Sequence, residues 1–294
     1  MNKVLAQVAR FFIFLISLMP LSFARGIGIL LGSLSWWFKD RGAKVTLDNL
    51  LFCFPEIGKV ERARIAKESL CETYKIAGET FLVWHRNKAW AKARILAVHG
   101  EALLRDSVAE GRGVILVVPH LGNWEFLGSQ LHVYAEVTSM YQPPKKPWLE
   151  DLVREKRGGL GMKLAPTSSK GVAIQLRALK AGEMIVTLPD QVPADGGGIF
   201  SSFYGMPAYS MTLIHGYIQR TQCKVVMGVA KRVESGFELH FLAPDEGIYS
   251  EDQKQSVDAL NRSVEKCVSL CMTQYQWEYK RFKRQPNGKN PYSA

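Results

Sequence analysis

The stretch FFIFLISLMPLSFARGIGILLGSLSWW, Phe11 to Trp37, carries a single charged side chain, Arg25. Crossing a bilayer takes about 20 apolar residues, so this run is expected to contact a membrane. Pro20 and Arg25 near its middle argue against one straight span, because proline breaks the helical ladder and a charge at the bilayer centre is costly. A kinked or interfacial pair of helices is the alternative. A cleavable leader fits poorly: the run exceeds the usual short apolar core, and no small-residue cleavage site follows it. Trp36 and Trp37, followed by Lys39 and Arg41, read as an interfacial belt with basic residues beyond. Gly28 and Gly32 have the spacing of a helix-pairing face, but lipid-facing glycine is the expectation for them.

The chain of 294 residues is 47% hydrophobic and 22% charged, which suits one large domain with an anchor. Its 38 Lys and Arg against 27 Asp and Glu, a net charge of +11, favour a phosphate-bearing partner. With no basic heptad helix, aromatic-studded basic strand or finger spacing, nucleic acid is not expected; an anionic lipid or an acidic carrier is. Cys53, Cys71, Cys223, Cys267 and Cys271 are scattered and lack a CxxC pair, so neither a disulfide framework nor a zinc site is predicted, and a reducing cytoplasm fits best.

Periodicity predicts mostly helix from Asp40 to about Leu104, with Ala63, Ala66, Leu70, Tyr74, Ala77, Phe81 and Trp84 on one face. The run VILVVP, Val114 to Pro119, reads as a buried strand and opens an α/β core. Further strands are expected at Met184 to Leu188, Lys224 to Ala230 and Phe237 to Leu242. Helices are expected near Pro147 to Arg157, Gly171 to Leu179 and Tyr209 to Gln219, and a long one over Gln253 to Tyr279. The tail from Arg281 is expected to fray.

Chemistry concentrates in VVPHLGNWEFLG, Val117 to Gly128. On one continuous helix, residues five apart lie about 140° around the axis, so His120 is placed in the turn after the strand. With Gly122 permitting a tight turn and Asn123 capping the next helix, Glu125 on its first turn is expected to reach back to the imidazole. A carboxylate on one ring nitrogen leaves the other free to take a proton. No GxSxG elbow or metal-spaced second histidine is present, so His120 is read as a base for a substrate hydroxyl. The competing reading makes His120 a cap or core residue and Glu125 a favourable charge at a helix N-terminus. Asp190 and Gln191, in TLPDQVPADGGG, fall at the end of another strand, where α/β sheets bind ligands; Asp190 serves equally as a loop cap or as a site partner. Arg154, Lys156 and Arg157 form a basic knot whose ordinary meaning is solvated charge on a helix end.

These residues resemble the lipid A biosynthesis acyltransferases of Gram-negative bacteria, the lauroyl and myristoyl transferase family. The resemblance runs through NLLFCFPE, HLGNWE, YQPPKKPWLEDLVREKRG, LPDQVP, FYGMPA and WEYKRFKRQP, nearly the whole chain. It implies His120 and Glu125 as the catalytic dyad, with Asn123, Arg157, Asp190 and Gln191 binding substrate or supporting the site. It implies an α/β fold with a mixed sheet flanked by helices behind a membrane-associated helical segment, residues 1–40 as anchor and 41–294 as acyltransferase domain. The implied reaction moves an acyl chain from acyl carrier protein thioester to a lipid A precursor, at the bacterial inner membrane with the domain in the cytoplasm, and without metal or cofactor. Gln142 departs from the pattern, where many members have arginine. Acyl transfer to another glycolipid or an amino-acid lipid, and lipid binding without catalysis, are the alternatives.

Overall fold

The computed structural model describes residues 3–143 and 147–292. Helices α1 (Lys3–Leu18), α2 (Leu21–Phe38), α3 (Arg41–Cys53), α4 (Lys59–His85) and α5 (Lys88–Lys92) come first. Then follow β1 (Ile95–His99), α6 (Glu101–Ala109), β2 (Val114–Val117), α7 (Trp124–Gln130), β3 (Val137–Tyr141), α8 (Pro147–Gly159), β4 (Met162–Pro166), α9 (Ser169–Lys180) and β5 (Met184–Thr187). The hairpin β6 (Gly198–Phe203) and β7 (Met206–Met211) precedes α10 (Leu213–Thr221), β8 (Lys224–Val233), β9 (Gly236–Leu242) and α11 (Gln253–Val268).

Seven strands form one sheet in the order β1-β9-β8-β2-β5-β3-β4, parallel throughout from β8 to β4 and antiparallel only between β8 and β9. The expected mixed sheet flanked by helices is what the chain forms. On central β2, Ile115 and Val117 enter the core on one face and Val114 and Leu116 the core on the other, which is why this strand reads as an unbroken apolar run. Helices α3, α10 and α11 cover the first face, and α6 and α7 the second.

Several local expectations differ from the structure. Tyr209 lies in β7, so that helix begins only at Leu213. In the hairpin, Tyr204 (φ 49°) and Gly205 (φ 80°) are the two loop residues between the paired Phe203 and Met206, a turn that demands two positive φ values and accounts for the glycine of FYGMPA. The last helix stops at Val268, and the tail is held rather than frayed. Phe282 is fully buried, and the Tyr292 hydroxyl accepts from its backbone N–H at 2.9 Å and donates to Asn49 Oδ1 at 2.6 Å. Asn49 in turn donates to the carbonyls of Trp277 and Tyr279, so NLLFCFPE and WEYKRF are one packing unit.

The amino-terminal glycines face protein. A Cβ on Gly28 would lie 2.6 Å from Lys75 Cα, and one on Gly32 2.5 Å from Cys71 Cα, so their spacing is the close crossing of α2 over α4. Arg25, the one charge in the apolar run and the argument against a straight span, turns inward. Its Nε donates to Glu79 Oε1 at 2.7 Å, and its terminal nitrogens donate to the carbonyls of Val233, Glu234 and Gly236 at 2.5, 2.7 and 3.0 Å. Glu79 is fully buried and also takes Arg232 Nε at 2.8 and 2.9 Å. The opposite faces of α1 and α2 expose Phe11, Phe12, Phe14, Phe23, Leu30 and Trp37.

Burial alone would raise the Glu79 carboxyl; Arg232 and then Arg25 more than offset it and hold the group below its ordinary value. Its contribution to stability is therefore complete above the ordinary carboxylate range and is lost as pH falls through the lowered value. Glu79→Gln leaves the buried Arg25 guanidinium without its carboxylate and Arg232 with Glu72 alone, and denaturant unfolding should show a loss of about 3–5 kcal/mol. A loss under about 1 kcal/mol, the range of an exposed ion pair, would show that the cluster does not hold α2.

Candidate active site

Register brings the site together. Val117 of β2 pairs with Thr187 of β5, so the residues three positions on, His120 and Asp190, leave the sheet side by side. Pro119 and Pro189 precede them and cannot continue the ladder, since proline offers no N–H. Asp190 then clamps His120 twice: Oδ2 accepts from its backbone N–H at 2.8 Å and Oδ1 meets Nδ1 at 2.7 Å.

Asp190 is buried, and burial by itself would raise its carboxyl. Attraction to His120 and the hydrogen bonds it donates outweigh that and hold it below its usual value. An ionised carboxylate on Nδ1 makes that nitrogen the donor and leaves Nε2 with its lone pair free. Gln191 Nε2 donates to that lone pair at 3.3 Å and to Gln276 Oε1 at 3.2 Å, so Gln191 sits where a substrate hydroxyl would approach. Trp124 packs edge-on against the imidazole at 4.9 Å.

The turn after His120 is tight. Gly122 has φ 62°, and a Cβ there would lie 2.1 Å from the Ala230 carbonyl oxygen. Asn123 caps α7 as expected, its Oδ1 accepting from Phe126 N at 2.8 Å, while its Nδ2 donates to Glu79 Oε2 at 2.8 Å.

Glu125 departs from expectation. It lines the same cleft as His120, but its carboxylate takes Trp84 Nε1 at 3.2 Å and forms a two-pronged ion pair with Arg157. The cap at Asn123 starts α7 one residue before Glu125 and turns that side chain toward α4 and α8, away from the imidazole that Asp190 already occupies.

The cleft holds about 390 Å³. Beyond His120, Glu125, Arg157 and Gln191, its walls include Val118, Leu131, Met162, Val186 and Leu188, an apolar lining beside the clamped imidazole. Gln142, at its rim, accepts from the Thr167 hydroxyl; the neighbouring Pro144, Lys145 and Lys146 of YQPPKKP lie outside the described residues.

Sequence reasoning passed over Glu79, Trp84 as a Glu125 partner, Gln276 and Arg232. The signal for Glu79 was a carboxylate set among apolar residues on α4. His99, Glu238 and His240, on β1 and β9 outside the cleft, bring potential metal-ligand atoms within 4.8 Å. Their two imidazoles stack at 20° and 4.5 Å, so both cannot aim at one ion without turning, and Lys231 already meets Glu238 at 3.5 Å.

The family model of bacterial lipid A biosynthesis acyltransferases matches residues 3–284. A lipid A biosynthesis lauroyltransferase of Escherichia coli (strain K12) is 26% identical over 275 residues, covering 92% of this chain and 87% of the relative. A lipid A biosynthesis palmitoleoyltransferase of the same strain is 25% identical over 270 residues, covering 90% and 86%. A lipid A biosynthesis acyltransferase of Haemophilus influenzae is 26% identical over 260 residues, covering 86% and 81%.

The clamp predicts that nitrogen-15 spectra of the wild type place the His120 proton on Nδ1. In Asp190→Asn the amide can donate to Nδ1, and the proton should move to Nε2. A wild-type ring already protonated on Nε2 alone would refute the orientation derived above.

Proposed function

Because the chain belongs to the bacterial lipid A biosynthesis acyltransferase family, we propose that it transfers a fatty acyl group from acyl carrier protein to the hydroxyl of a 3-hydroxyacyl chain on a lipid A precursor. The observation that carries this reading is the His120–Asp190 clamp, which leaves a proton-accepting nitrogen at the edge of an apolar cleft. His120 Nε2 takes the hydroxyl proton, with Asp190 fixing the ring. The oxygen attacks the thioester carbonyl, the C–S bond breaks, and the carrier thiolate leaves with the proton from His120. Arg157, held by Glu125, steadies the negative oxygen that develops. Glu125 thus acts beside His120 through a cation rather than on its ring.

The apolar wall of the cleft suits the acyl chain, and the net charge of +11 suits an acidic carrier and a phosphorylated acceptor. Residues 1–40 serve as the membrane-facing part and 41–294 as the transferase part, at the inner membrane and on its cytoplasmic side. The crossing of α2 on α4 and the inward Arg25 support a helix pair lying in the membrane surface, with the outer aromatic and aliphatic faces in lipid.

Transfer from a panel of acyl carrier protein thioesters to a tetra-acylated lipid A precursor, followed by mass spectrometry, tests this. Wild type should add one acyl chain. His120→Ala should lower kcat by about 10²- to 10⁴-fold, and Arg157→Met by about 10²- to 10³-fold. Glu125→Ala should lose activity in parallel with Arg157→Met. Full activity of His120→Ala would end the mechanism, and transfer only to another glycolipid would change the acceptor.

A further inference from the structure

Behind the catalytic cleft lies a second cavity of about 520 Å³, which the reaction as described leaves unused. Trp84 divides the two: it lines the second cavity, while its indole N–H donates to Glu125 in the first. Helix α8 serves both, giving Arg157 to the cleft and Lys156 to the cavity. The basic knot seen in the sequence is therefore split between two sites, with Arg154 left paired to Glu150 on the surface.

The lining is cationic. Arg86, Lys88 and Lys156 face it beside His132, and the acidic side chain in the wall is Glu155. Glu155 is already met by Lys156 at 3.2 Å and by Arg10 of α1 at 3.8 Å. Arg86 Nε is buried without a hydrogen-bond partner, an uncommon state for a guanidinium N–H. Polar groups from Ser129, Gln130 and Asn87 complete the wall.

Position narrows the ligand. Arg86 donates to the carbonyls of Leu18 and Met19 at 2.7 and 3.3 Å, and both residues expose apolar side chains at the end of α1. The cavity thus sits where the lipid-facing helices join the sheet domain, on the far side of one indole from His120. A headgroup there can keep its chains in lipid.

We propose that this second cavity binds the phosphate-bearing sugar headgroup of the acceptor lipid, with Lys88 and Lys156 contacting phosphate. A cavity of this volume accommodates a small polar ligand, and ammonium groups bind phosphate by charge-assisted hydrogen bonds. The site rests on the acyltransferase reading of the cleft. It adds that the headgroup is held beyond Trp84, so that an acyl chain hanging from it presents its hydroxyl to His120.

The test is steady-state transfer by the full-length protein in detergent, comparing wild type with Lys88→Gln, Lys156→Gln and the double variant. Each is assayed on the phosphorylated acceptor and on the same lipid after enzymatic dephosphorylation. The double variant should raise KM for the phosphorylated acceptor about tenfold to a hundredfold, the value of one or two charged hydrogen bonds, with kcat changed far less. Lys88→Arg with Lys156→Arg should restore most of the affinity. On the dephosphorylated lipid, wild type should already show the raised KM, and the variants should add nothing. An unchanged KM in the double variant, or an equal rise on both lipids, would overturn the headgroup site while leaving the transfer reaction standing. Absence of transfer by wild type to any phosphorylated glycolipid would instead defeat the reading on which the site rests.

Discussion

Glu79 is the interaction on which the rest depends. Its fully buried carboxylate is shared by Arg25 from α2, Arg232 from the end of β8 and Asn123 from the turn after His120. One charge therefore ties α2, the sheet and the helix that carries Glu125. Two arginines about a single carboxylate would be a costly burial, but Arg232 also reaches Glu72 at 2.8 Å, and the second cation has its counter-ion. Arg25 places its remaining donors on three carbonyls where β8 turns into β9, so its guanidinium is satisfied within the protein. The cluster works as a fixed joint: each partner satisfies an otherwise stranded group of another.

How far the site was legible follows from what kind of information held each residue. His120 and Asn123 were placed by local rules, a strand end and a helix cap, and both stand where those rules put them. The partner of the imidazole was misread because it comes from 70 residues away through strand register, which spacing within a motif does not encode. A trace of it was present all the same: VVPH and TLPD are parallel strand endings, each a proline followed by a polar residue after a β-branched run. Two adjacent parallel strands in equal register must present such residues together. Glu125 was assigned to the histidine on the argument that a first-turn side chain can turn back, and that omitted the competing cation on α8.

The fold was legible where a segment is buried on both faces and hard to read where it is not. β2 and β5 are unbroken buried runs, and β8 and β9 are longer apolar or alternating ones. β1, at the sheet edge, has no fully buried residue, and β4 carries the exposed Lys163, so neither stands out from a helical background. Tyr209 to Gln219 was taken as one helix because a strand followed within two residues by an amphipathic helix keeps an apolar pattern throughout. The tail looked polar enough to fray, yet Phe282 and Tyr292 fill the space beside α3, and only the three-dimensional path shows that Asn49 awaits them.

The division of α8 gives the architecture its logic. The proposed reaction requires a lipid headgroup and a thioester to be brought to one nitrogen. Helix α8 stands between two cavities, with its sequential cations Lys156 and Arg157 facing different ones and Trp84 as the partition. Successive residues on a helix point about 100° apart, so adjacent positions are suited to serving two chambers. Glu155, one residue earlier, meets Arg10 of α1. Three consecutive side chains thus link α1, the cationic cavity and the His120 cleft. Two polar contacts tie α1 to the walls of the cationic cavity, the Arg10–Glu155 pair and the hydrogen bonds of Arg86 to the carbonyls of Leu18 and Met19. His120, clamped by Asp190 after β5, is held by contacts that share nothing with these two.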